Sequence, residues 1–61
     1  MPFYRCFVIG RDDNVESVIV LDADTDNAAQ IEAEKILELR RCFAVEVWYG
    51  GRRVYRALSR H

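Results

Sequence analysis

The 61-residue sequence predicts an α+β fold, a two-layer ββαββ chain whose four strands form a mainly antiparallel sheet with one helix on one face. Three observations predict it. Two pairs of apolar, β-branched and aromatic runs are each joined by a turn-forming stretch, GRDDN in the first pair and Gly50-Gly51 in the second. Between the pairs lies one stretch of helical periodicity, opened by acids and closed by two arginines. A single helix of about sixteen residues can cover only one face of such a sheet.

Phe3 to Ile9 and Val15 to Leu21 (VESVIVL) are strand-like by composition. In the turn between them, Gly10, Asp13 and Asn14 tolerate the left-handed backbone of a short loop. Pairing Ile9 with Val15 puts Phe3, Arg5, Phe7 and Ile9 on one face with Leu21, Ile19, Ser17 and Val15. The other face then holds Tyr4, Cys6 and Val8 with Val20, Val18 and Glu16. Both faces are largely apolar, which is unusual for a hairpin with water on one side.

DADTDNAAQ starts the helix, because acids favour the positive end of its dipole and Asp24 or Thr25 can cap its free amides. The helix is expected from about Asp26 to about Arg41, with Arg40-Arg41 at its negative end. Ala29, Ala33, Ile36 and Leu37 align in one stripe with Leu39 at its margin, and Glu34, Lys35 and Glu38 lie opposite. Ile31 falls on the charged side, as an isolated exposed apolar residue or as a partner contact.

Cys42 to Tyr49 and Arg52 to Leu58 make the second hairpin. With Tyr49 opposite Arg52, one face carries Phe43, Val45, Val47 and Tyr49 with Leu58, Arg56, Val54 and Arg52. Ala44, Glu46 and Trp48 share the other with Ala57, Tyr55 and Arg53. The first face is expected under the helix, since Phe43, Val45, Val47, Val54 and Leu58 are apolar and aligned. The order of the strands in the sheet is left open.

The chain reads as one domain, residues 1–61, of a size at which a single core buries only about 60% of the unfolded chain's surface. Such a domain needs a staple: disulfides, a metal, unusually good packing or self-association. The opening MPFYRCFVIG is too short and too charged for a signal peptide or a membrane span, so the expected compartment is the cytoplasm. There Cys6 and Cys42, each in an apolar stretch without a CxxC or Cys/His partner, read as small core or interface side chains. The only histidine, His61, stands at the chain end, which argues against a metal.

Chemistry of other kinds is scarce. Asp22 to Asn27 matches the opening of a calcium loop, yet Asn27 stands where a Gly is needed and Ala33 where a bidentate Glu is needed. The acids are expected to cap the helix instead. Ser17 and Ser59 are the only serines, neither cysteine has an identifiable base, and Asp12-Asp13 lie in a turn. No catalytic residue and no cofactor is assigned, and the chain is not read as an enzyme.

Association carries the functional reading. With one face under the helix, the other keeps Tyr4, Cys6, Val18, Val20, Trp48 and Tyr55, together with Val8, Ala44 and Ala57, among a few charges. Monomeric proteins rarely expose an apolar patch of that size, so this face is expected to be covered by a second copy in a sheet-on-sheet homodimer, or by another protein. The alternative is nucleic acid on the second hairpin, where Arg52, Arg53 and Arg56 stand beside Trp48, Tyr49 and Tyr55.

Residues 40–61 do carry six arginines against Glu46, a balance of +5, but residues 1–39 carry three bases against nine acids, −6, and the whole chain is −1. Glu46 shares a face with Trp48, and Arg53 stands across from that indole as a cation–π partner. Arg52 at the tip and Arg56 on the helix side have no structural task in this register.

The opening MPFYR and the closing VEVWYGGRRVYR together resemble short uncharacterised bacterial proteins, common in alpha-proteobacteria. Those proteins open Met-Pro-aromatic-Tyr-Arg and close with a Val-Trp-x-Gly-x-Arg-x-Val strand pair. They often have Asp-Gly in the first turn, where this chain has Asp12-Asp13-Asn14. The resemblance covers nearly the whole chain, implies a bacterial cytoplasmic protein, and carries no functional residue across.

Overall fold

The structure is a computed structural model that describes residues 3–59; the Met-Pro opening, Arg60 and the terminal His61 lie outside the described residues. Its elements are β1 (Tyr4–Ile9), β2 (Val15–Leu21), α1 (Asp26–Arg40), β3 (Ala44–Tyr49) and β4 (Arg52–Leu58). All neighbouring strands are antiparallel, in the order β2-β1-β3-β4. Two hairpins therefore lie side by side, and α1 is the connection between them. This is the ββαββ arrangement the residue pattern predicts.

The helix begins at Thr25, whose extended backbone and Oγ1, accepting from the Ala28 N–H at 3.1 Å, satisfy one of its free donors. Asp26 supplies the acid of the first turn and Arg40 the base of the last. Arg41 ends the helix in the left-handed conformation (φ 52°) and donates its N–H to the Leu37 carbonyl. Ala29 and Ala33 are fully buried, so their small side chains let α1 close against the sheet, mainly over β3 and β4. Beneath them Cys6, Val8, Val45 and Val47 form the sealed centre of the core, with Tyr4, Leu21 and Cys42 around it.

Each hairpin starts in the expected register and then leaves it. In the first, Asp13 (φ 66°) donates to the Gly10 carbonyl, Gly10 donates to Asn14, and Ile9 faces Val15. Glu16 is then an extra residue, a β-bulge, after which Val8 faces Ser17 and Tyr4 faces Leu21. The Glu16 carboxylate lies over Gly10, 2.6 Å from where a Cβ would stand. In the second hairpin Tyr49 faces Arg52 and Trp48 faces Arg53, but Val54 is bulged, so Val47 faces Tyr55 and Ala44 faces Leu58.

These bulges correct the face assignments. Tyr4, Cys6 and Val8 lie under α1 in the core, not on the uncovered face, and Tyr55 and Ala57 pack against the same core. Arg5 and Phe7 turn outward on β1, as do Arg56 and Leu58 on β4. Phe43 and Leu58, expected in the core, are exposed, while the bulged Val54 still packs against it. The physical reason is the same in both hairpins: without the bulge a guanidinium, Arg5 or Arg56, would be driven beneath the helix. Burying an unpaired cation costs more than an interrupted ladder.

Tyr4 ties the sheet to the helix start. Its hydroxyl donates to Asp26 Oδ1, and its ring lies 4.4 Å from that of Tyr49, tilted by 40°. The hydrogen bond to Asp26, then burial, pushes the Tyr4 hydroxyl up to about 12 from an ordinary value of 10. The folded state therefore holds this proton more tightly than the unfolded state does. Its contribution to stability is complete below pH 10 and is lost as pH rises from 10 toward 12. Unfolding titrations across that range should show stability falling, less steeply in Tyr4→Phe.

Candidate functional site

The face opposite α1 is built from alternate residues of all four strands, read off in cross-strand rows. One row runs Val18, Phe7, Glu46, Arg56, and the next Val20, Arg5, Trp48, Arg53. The face is thus apolar at the β2 end and charged at the β4 end. Val18 is 51% exposed, Val20 59% and Leu58 52%, high values for apolar strand residues. Phe7 and Trp48 bridge the two rows diagonally, with ring centroids 6.3 Å apart and planes within 22°.

Glu46 organises the polar half. Its Oε1 accepts from Trp48 Nε1 at 3.1 Å, and its Oε2 accepts from Arg56 Nε at 3.0 Å with Arg53 Nη1 3.8 Å away. Its side chain is only 18% exposed, so these partners hold the carboxylate in a partly dry setting. Glu46→Ala would leave the indole N–H and two arginines without their acceptor. We expect it to destabilise the chain by about 1–3 kcal/mol, read from urea unfolding.

The candidate site residues divide. Val18, Val20 and Trp48 stand on the uncovered face, whereas Tyr4, Cys6 and Tyr55 stand on the helix side. Arg5, Phe7, Arg56 and Leu58 belong to the uncovered face and were not assigned there from the sequence. The signal that could have found them is an arginine on each face expected to be buried. Arg53 does face Trp48 in register, but the ring stacks on Phe7 and the guanidinium turns toward Glu46.

The arginines proposed for phosphate are each near an acid: Arg53 and Arg56 near Glu46, and Arg52 3.8 Å from Asp26 on the helix side. Exposed pairs of this kind contribute little stability, yet with two acids set against three guanidiniums they weaken the positive field on which phosphate binding rests.

Elsewhere the reactive residue types have structural tasks. Asp12 accepts from the backbone and side chain of Asn14, which holds its carboxyl below the usual range. Asp26 of the acidic run is engaged by Tyr4. Ser17 Oγ accepts from Arg40 at 3.1 Å. Cys6 and Cys42 are free and buried; burial, then the proximity of Cys42, pushes the Cys6 thiol up to about 11, and burial raises Cys42 as well. Both are therefore protonated and poor nucleophiles near neutrality. Burial first, then Glu34, raises the Tyr55 hydroxyl.

Compared with protein-family models, curated proteins and solved structures, the chain matches none. Among the described residues no helix is long and apolar enough to cross a membrane.

Proposed function

We propose that the chain is a small homo-oligomeric interaction module, most simply a dimer, that associates through the sheet face opposite α1. The observation that carries this reading is the contiguous patch of Val18, Val20, Phe7 and Trp48 across three strands, with no element over it among the described residues. A stable interface takes about 800 Å² from each partner, a little over a sixth of the 4557 Å² the described chain exposes. Measured between Cα atoms the molecule extends 33 × 19 × 14 Å, so a contact of that size takes up essentially the whole of its broad face.

A two-fold axis running across the strands would set β1 and β2 on the same strands of the copy, valine against valine. Arg53 and Arg56 would then stand at a polar rim, sharing Glu46 between them. The two free thiols fit a reducing, cytoplasmic setting.

Trp48 is the only tryptophan and reports on the contact directly. On dilution its emission is expected to shift toward that of a water-exposed indole as copies separate. A filter-binding titration with single-stranded RNA at two salt concentrations tests the hairpin arginines: retention that weakens with salt and with Arg53→Ala would favour nucleic acid over self-contact.

A further inference from the structure

The sheet has two edges, β2 and β4, and they are unlike. The β4 edge carries Arg52, Arg53 and Arg56 and is bent by the bulge at Val54, the means by which strands are kept from pairing with other chains. Past its own bulge at Glu16, β2 runs Ser17-Val18-Ile19-Val20-Leu21 with no charge, no proline and no glycine. Among the described residues no strand lies beyond it.

We propose that this edge pairs with the same edge of a second copy, antiparallel about a two-fold axis, joining two four-stranded sheets into one. The proposal rests on the reading that the chain associates with itself, and adds a contact distinct from the face. The segment is complementary to itself. Centred on Ile19, the register sets Val18 against the partner's Val20 and Ser17 against the partner's Leu21, each pair occurring twice, so every residue keeps its face. Centring on Val18 instead would bring the bulged Glu16 into the ladder, where its strand no longer has a regular edge.

The chosen register also continues the apolar rows. Phe7 already faces Val18, and Val18 would face the partner's Val20, so the patch on the open face runs unbroken across both copies. Edge pairing and face packing use perpendicular surfaces, so both can form at once, giving a particle of four chains.

Amide hydrogen exchange on the wild-type chain, with light scattering on the same sample, tests it. The outward amides of Ser17 to Leu21 are expected to exchange at least about tenfold more slowly than the outward amides of β4, with the difference fading on dilution. The β4 amides are the control, because face packing gives the outward amides of neither edge a hydrogen-bond acceptor. Equal exchange at the two edges in a multi-chain particle overturns the edge contact and leaves the face reading standing. A single-chain particle overturns both.

Discussion

A chain carrying Tyr4→Ala is expected not to fold. Tyr4 is 6% exposed, packs its ring on Tyr49 and bonds the first turn of the helix through Asp26, so the substitution removes a core aromatic and a tie between layers together. Losses of this kind cost about 3–5 kcal/mol. A single core of this size rarely supplies more than about 3–5 kcal/mol in all. Circular dichroism should therefore show no cooperative transition in Tyr4→Ala, whereas Tyr4→Phe, which keeps the ring, should fold with about 1 kcal/mol less stability. A folded but dissociated Tyr4→Ala would place Tyr4 on the uncovered face and would contradict the bulge at Glu16.

Val18→Asp should behave in the opposite way. Val18 is half exposed in the single chain, so a carboxylate there stays in water and costs the fold no more than about 1 kcal/mol, mostly in strand preference. In the proposed contact the same carboxylate would be pressed against valines of the copy, with Arg5 of the next row the nearest cation on its own chain. Taking a carboxylate out of water costs several kcal/mol that one such neighbour does not restore, so self-affinity should fall by at least about a hundredfold. A dilution series followed by Trp48 emission checks this, with Val18→Thr as a milder control. If Val18→Asp associates as the wild type does, the face is not the contact.

The elements were legible in the sequence because each has a local cause. Gly50-Gly51 sets the second turn, Thr25 and the acids around it set the helix start, and the strand compositions set the rest. The faces were legible on only half the strands. Leu21 and Ile19 on β2, and Val45 and Val47 on β3, stand beneath the helix as expected, while β1 and β4 are each turned over by a single extra residue.

Strand register has a period of two, so one bulge exchanges a whole strand's faces, and neither Glu16 nor Val54 looks unusual as a residue type. The clue lay across the sheet rather than along the chain: a cation, Arg5 or Arg56, sat among residues destined for a dry core. Of the residues expected on the uncovered face, Val18, Val20 and Trp48 stand there and Tyr4, Cys6 and Tyr55 do not, and Phe7 and the Glu46 cluster emerge only once that exchange is made.

The mass of the particle in dilute buffer bears most directly on the central claim. Light scattering at micromolar concentration is expected to give a multiple of the 7.1 kDa chain, at least two copies, falling toward one on dilution as Trp48 emission shifts to that of a hydrated indole. A particle of 7.1 kDa at every concentration, with Trp48 already emitting as a hydrated indole, would contradict the account.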